Sequence, residues 1–432
     1  MRFLLLLPPL FALTFVACFG VNLPFWDEWE IPLALNDVLE RGLQFGDLWN
    51  LHNEHRIFFP AMVYLLSAYF TDFNVKINMY IGWFFQSGIY LLVLLYFKKT
   101  IENEKHFIPW ALCLGFIVFN FVQFENQLWG FQVGFFMCAF FIAATFYFLD
   151  SFLKTENIKY AILSLIFGIS AGLTSLQGLF VFPVALILLF LANKKKYLFY
   201  TFLFTLLFFA IYFSDYQVAT TEMTQHYVTK VYDIFKVFFV CLGAPLIKSF
   251  IFIHPTFPSI ITATASAFNF VIILGFIFFI FCVCLVIYLF RKKQIKDFSF
   301  SICLIFFAFA FALAISFGRN GEDIGLALMS RYTTFTLLGY VGLILALIKL
   351  KPKLPSVKYA FSILLFMLIL QNGIVFNLED RVKFRISAKE KLQNYKNLNE
   401  QELMNIDMIL NRCPPRACIE LLEKRKWSVF AE

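Results

Sequence analysis

The stretch Trp26-Asp27-Glu28-Trp29-Glu30 is the first polar break in an apolar chain. It follows a run from Phe3 to Val21 that holds no charged residue. About 18 such residues are enough to cross a bilayer. The run therefore reads as a first membrane span, roughly 3–21, and the polar stretch as the start of the loop beyond it. A cleaved signal peptide fits less well. The run is long enough to span, and bulky Phe15 stands where small residues precede a cleavage site.

The composition agrees with a membrane chain. Of 432 residues, 61% are hydrophobic and 15% charged, against roughly 45–50% and 25% in soluble domains. The net charge of +8 does not point to nucleic acid, because Lys and Arg sit in short clusters between apolar runs. Clusters at 98–99, 194–196, 291–293 and 349–358 mark cytoplasmic loops by the positive-inside rule.

The predicted fold is an all-α polytopic membrane protein with about eleven spans. After the first they lie at roughly 77–97, 107–122, 131–149, 160–175, 178–192, 197–213, 262–290, 298–317, 333–349 and 359–376. Residues 22–76 form a first periplasmic loop. It carries seven acidic residues between 22 and 56 against Arg41 and Arg56. Within it Ile31, Leu35, Val38 and Leu39 share a helical face, ended by Gly42, which predicts an amphipathic helix on the membrane surface. The apolar stretch 57–70 is too short to span comfortably and reads as interfacial or re-entrant. The mixed segment 214–261 reads the same way.

Residues 1–376 then make a transmembrane domain, and 377–432 a short periplasmic tail. The expected location is a bacterial cytoplasmic (inner) membrane, with the N-terminus cytoplasmic. The tail holds eleven Lys and Arg, which the charge rule would keep inside, but long segments follow that rule loosely. Its Cys413 and Cys418 flank Pro414-Pro415 and are expected to form a disulfide in an oxidising compartment.

The polar clusters share the outer face. Ionisable groups held there by many separate spans mark a functional site. The span centres are nearly free of charge, which argues against an ion path. Asp27 and Glu28, between Trp26 and Trp29, lead as catalytic residues, because desolvation beside the rings would lift a carboxylate toward the range useful for a base. The competing reading makes the two Trp interfacial anchors and the acids merely solvated. His52, Glu54 and His55 read as substrate contacts. Asp27, His52 and His55 could also hold a divalent metal, Mg or Mn, with the two His one helical turn apart. Arg331, Arg56 and Arg319 could grip a phosphate with two-pronged hydrogen bonds, or simply snorkel. Glu125, Gln127 and Trp129 suit a sugar, offering edge hydrogen bonds and a stacking face. A tight turn with an interfacial Trp explains them equally well.

The acidic pair in the first outer loop, followed by surface helices and many spans, resembles the GT-C superfamily of membrane glycosyltransferases. The ordered set Trp26-Asp27-Glu28-Trp29, His52-Asn53-Glu54-His55-Arg56, Glu125-Asn126-Gln127-Leu128-Trp129-Gly130-Phe131-Gln132 and Ser330-Arg331-Tyr332 resembles a poorly characterised bacterial group placed near it. The resemblance covers roughly residues 1–376. It implies sugar transfer from a polyprenyl-phosphate-linked donor to a glycan or glycolipid acceptor at the periplasmic face, with inversion. It implies Asp27 as the catalytic acid of the loop and Glu28 as its helper. A polysaccharide polymerase or ligase, leaning on the Arg residues, and a lipid-linked sugar transporter or flippase, needing a polar path, are the alternatives.

Overall fold

The computed structural model describes residues 2–101, 104–216, 231–247, 252–253, 261–262, 265–318, 324–350, 357–404, 406 and 414–431. The expected site residue Arg319 and the tail's Cys413 lie outside these.

The chain is a helical bundle. In a bilayer only a helix or closed barrel satisfies the backbone internally. Among the described residues, eight helical stretches are long and apolar enough to cross. They are Arg2–Phe19, Val75–Lys98, His106–Leu128, Gly130–Thr155, Lys195–Tyr212, Phe268–Arg291, Ser299–Gly318 and Ser330–Leu350. Three of the about eleven expected spans are not among these eight. Two of the expected spans are the shorter apolar helices Ile158–Gly172 and Leu176–Leu191. The eleventh is the first half of a 37-residue helix, Val357–Gln393.

The principal helices are α1 (Leu7–Phe19), α2 (Ile31–Arg41), α3 (Phe45–Trp49), α4 (Phe58–Phe70), α5 (Val75–Lys98), α6 (Glu104–Val118), α7 (Phe124–Leu128) and α8 (Val133–Thr155). They continue as α9 (Ile158–Gly172), α10 (Val181–Leu191), α11 (Lys195–Tyr212), α12 (Val231–Ile247), α13 (Ala265–Arg291), α14 (Ser299–Gly318) and α15 (Ser330–Leu350). The chain closes with α16 (Val357–Gln393), α17 (Glu400–Met404) and α18 (Pro415–Arg425). Local signals set the turns. Asn74 and Asn157 accept from the Lys76 and Lys159 amides at 3.1 and 3.0 Å, capping α5 and α9. The segment expected to be re-entrant contains α12, which packs antiparallel on α13. A Cβ on Gly275 would lie 1.9 Å from the Phe239 carbonyl oxygen, so the two backbones touch as small residues allow.

The bundle has two distinct ends. At one, Lys99 donates to the Tyr147 hydroxyl, Lys349 to the Asp297 carbonyl, and Asp150 takes bonds from Lys154 and Ser299. This is the basic end. At the other, the first loop meets the tail, and the two form one cap with its own apolar core. Leu23, Trp29, Ile31, Leu35, Tyr64 and Phe73 of the loop pack with Leu392, Tyr395, Cys418, Ile419, Leu422 and Trp427 of the tail. The apolar face of α2 is therefore spent on α18 and not on a membrane surface as expected. Helix α16 runs unbroken through residue 376, so the tail begins inside a helix and is carried rigidly out of the bundle. Asn22 ties both parts together. Its Oδ1 accepts from the Val75 amide at 3.0 Å and its Nδ2 donates to the Ser428 carbonyl at 3.0 Å. Cys418 is disulfide-bonded, and the seven cysteines of the bundle are free.

Candidate functional site

The site lies under the cap, at the end of the bundle where the Trp26–Glu30 turn meets residues 120–132. Phe25 is extended, and the chain then turns through Trp26 with φ +50°. A non-glycine residue in that region is uncommon, and such strain gathers at functional positions. The turn is a 3-10 helix held by Glu28, whose Oε2 accepts from the Phe25 amide at 3.2 Å. Pro32 in the first turn of α2 then starts the next helix without cost.

Glu28 is buried, 1% exposed, while Asp27 stays half-buried. The space for Glu28 exists because residue 130 is glycine, since a Cβ there would come within 2.6 Å of Glu28 Oε1. Around the two carboxylates the aromatic rings form a continuous wall. Trp26 and Trp129 are stacked, 6.2 Å between centroids and 18° from parallel. Phe25 meets Trp129 edge-on at 5.3 Å, and Phe131 stacks on Trp129 at 5.8 Å. Tyr64 stacks on Phe131 and donates to its carbonyl at 2.6 Å. Burial, and then the charges of Glu28 and Asp27, push the Tyr64 hydroxyl well above its usual pKa, so it remains a proton donor.

Cations approach the wall from two helices. Arg331, at the start of α15, sits 5.7 Å from the Trp26 ring centroid and 5.5 Å from that of Tyr332. Glu125 fixes this start: its Oε2 accepts from the Arg331 amide at 2.9 Å, an acid at a helix N-terminus. Ser330 Oγ donates to the Val122 carbonyl at 2.6 Å, and Asn126 Nδ2 to Thr334 Oγ1 at 2.7 Å. From α16 come Arg381 and Arg385, 3% and 4% exposed. Their guanidiniums lie 5.3 and 5.1 Å from the Phe25 ring, and Arg385 donates to the Leu23 carbonyl at 2.5 Å.

The sequence expectations divide on this geometry. Trp26, Asp27, Glu28, Glu125, Trp129 and Arg331 come together. Gln127 is 2% exposed, and among the described residues neither of its amide atoms, nor Trp129 Nε1, has a hydrogen-bond partner. Buried polar atoms of this kind call for an explanation; a polar ligand or water supplies one. Trp29 belongs to the core of the cap and is no interfacial anchor. His52 and His55 are not a helical pair. They are register partners across a two-stranded hairpin, Leu51–His52 with His55–Arg56, turned at Asn53 with φ +52°. His52 still borders the wall, 5.2 Å from Phe131. Glu54 is exposed at the hairpin tip, its carbonyl accepting from the Tyr216 hydroxyl at 3.1 Å.

Two other assignments are corrected. Arg56 is not poised for phosphate. It is 1% exposed, and its guanidinium donates to the Tyr212 carbonyl at 2.9 and 2.7 Å, to the Trp49 carbonyl at 2.6 Å and to Asp215. It clamps the hairpin to the end of α11. No group of three His, Cys, Asp or Glu side chains able to hold a metal ion occurs among the described residues, so Asp27, His52 and His55 form no such set.

Arg381 and Arg385 escaped sequence reading because they lie past the end of the apolar run. A signal was present: Leu378, Arg381, Arg385, Ala388 and Leu392 all fall on one buried helical face. No family model matches the chain, and neither a curated protein nor a solved structure matches it.

Proposed function

We propose that the protein is an integral-membrane glycosyltransferase. In this reading it moves a sugar from a polyprenyl-phosphate-linked donor to a cell-envelope glycan or glycolipid acceptor at the cap end of the bundle, on the periplasmic side. One observation carries it: a half-buried carboxylate, Asp27, directly follows Trp26, whose ring stacks on Trp129 and lies 5.7 Å from the Arg331 guanidinium. Aromatic faces stack on sugar rings. Neutral side chains such as Gln127 and Trp129 hydrogen-bond hydroxyls. A guanidinium opposes the negative charge that develops on a leaving phosphate, which stabilises the transition state more than the ground state. Asp27 is the base that takes the proton of the acceptor hydroxyl. Glu28, held by the Phe25 amide, shapes the turn that presents it.

A second reading draws on Arg381 and Arg385. A polymerase or ligase using the same class of donor would rest on these arginines more than on Asp27. Transfer of labelled sugar from a synthetic polyprenyl-phosphate donor, with donor binding measured separately, tests both. Asp27→Asn should lower turnover by about 10²-fold or more and leave donor binding intact. Arg331→Ala should weaken both, and Arg331→Lys should restore only part, because an ammonium cannot make the two-pronged contact. A folded Asp27→Asn protein that transfers sugar at the wild-type rate would sink the base assignment and favour the arginine-centred reading.

A further inference from the structure

At the basic end, away from the site under the cap, a cavity of about 340 Å³ opens between α9 and α11. That is within the roughly 300–1,000 Å³ of small-molecule pockets. Its floor is apolar, built from Leu149 and Phe152 of α8 and Leu189 of α10, with Ala161 and Leu165 of α9 on one wall. The two hydroxyls on the α8 and α9 sides of its lining are already engaged. Ser164 donates to the Thr145 carbonyl at 2.9 Å, and Thr145 to the Phe141 carbonyl at 2.7 Å. The interior therefore favours hydrocarbon.

The mouth is different. Lys196 and Tyr200 of α11 line it. Lys196 follows directly on Lys194-Lys195. Lys194, in the α10–α11 turn, is ion-paired with Glu156 of the α8–α9 turn. Lys196 has no ion pair among the described residues and is exposed. An apolar slot ending at an uncompensated ammonium, at the level where a membrane-spanning helix meets water, matches a molecule with a long hydrocarbon chain and an anionic head. Basic pockets between helices at that depth are where anionic lipid head groups bind.

We propose that this crevice is a binding site for an anionic glycerophospholipid of the bilayer. One acyl chain lies over Leu149, Phe152 and Leu189, and the phosphate sits against Lys196, with the Tyr200 ring flanking the glycerol. This inference rests on the bundle being in a bilayer and not on the sugar-transfer reading.

The test uses the full-length protein extracted from bilayers of phosphatidylglycerol and phosphatidylcholine in equal amounts, with retained lipids counted by native mass spectrometry. Wild-type protein should retain phosphatidylglycerol over phosphatidylcholine. Lys196→Gln should lower that preference at least fivefold, whereas Lys195→Gln, outside the lining, should leave it unchanged. Ala161→Phe, which fills the slot, should lower retention of both lipids. A wild-type protein without preference overturns the proposal, as does a folded Lys196→Gln protein whose preference persists. Equal loss in Lys195→Gln and Lys196→Gln also overturns it, by indicating a diffuse basic surface. Melting temperatures of all variants, read in parallel, separate unfolding from loss of the site.

Discussion

Gly130 leaves the room that the Glu28 carboxylate occupies: a Cβ there would lie 2.6 Å from Glu28 Oε1 and 2.5 Å from the Val75 carbonyl oxygen. The second contact is with backbone, so it cannot be relieved by a rotamer change. Gly130→Ala should displace Glu28, and with it the turn that carries Asp27. Misplacement by about 1 Å can cost 10²-fold in rate, so transfer should fall by about tenfold or more. Unchanged transfer in a folded Gly130→Ala protein would separate Glu28 from the site.

Arg56 and Arg331 should behave oppositely. Breaking a buried, fully bonded arginine typically costs about 3 kcal/mol or more, so Arg56→Ala should lower the melting temperature and leave donor affinity of the folded fraction unchanged. Arg331→Ala should leave melting nearly unchanged and weaken affinity. A loss of affinity in Arg56→Ala without a loss of stability would return Arg56 to phosphate binding.

Asn22 joins the Val75 amide, the Ser428 carbonyl and, at 3.3 Å, the Ser428 hydroxyl. Asn22→Ala should release the last residues of the chain. Hydrogen exchange over 415–431 should rise in that variant while exchange in α14 stays protected. Equal protection of the tail in both proteins would show that Asn22 does not hold the cap.

The cap should loosen in acid. Bonds from Lys396 and then Tyr395 hold the Glu423 carboxyl below its ordinary value. A carboxyl lowered on folding contributes stability above its unfolded pKa and loses it as pH falls through the folded one. Tyr395 is pushed up to about 12 by burial and by its bond to Glu423, so its contribution persists at neutral pH and is lost only as pH rises toward that value. Tail exchange, corrected for its intrinsic pH dependence, should therefore be steady from neutral pH to about 5 and rise below the carboxylate range near 4. Glu423→Gln should flatten that rise. A rise of the same size in Glu423→Gln would place the acid sensitivity elsewhere.

Loop and tail share one core, so both must face the same compartment. With the free cysteines replaced, Leu43→Cys and Lys424→Cys should be labelled by an impermeant reagent from one side. Lys293→Cys should be labelled from the other, with the charge rule placing the first pair outside. Labelling of residues 43 and 424 from opposite sides would refute the cap.

Much of the bundle was legible in the hydropathy alone, because a lipid-facing helix announces itself by composition. Helix α2 was also legible: Ile31, Leu35 and Val38 keep their predicted buried face, while Leu39, placed on the same face, is exposed. Its partner was not, since nothing local in 31–41 distinguishes a lipid surface from α18. The pair His52 and His55 was misread because a three-residue spacing suits a helical turn, whereas Asn53 with positive φ makes a hairpin. Arg56 looked functional for the reason it is structural. A buried guanidinium needs many partners, and its partners on Tyr212 and Asp215 come from far along the chain. Trp26, Trp129 and Arg331, singled out by their local company, do lie side by side. Arg381 and Arg385 were missed because their burial depends on Phe25 and Leu23, more than 350 positions earlier.

The shared core of the cap also fixes an order of events during synthesis. Residues 22–75 leave the ribosome early, but Leu392, Ile419, Leu422 and Trp427, which cover them, are made more than 300 residues later. Until those residues join the cap, the Trp26–Glu30 turn lacks the packing they supply. Contacts this distant in sequence form late and leave apolar surface open meanwhile. The apolar faces of Leu23, Trp29 and Leu35 therefore stay partly uncovered until the tail residues reach them.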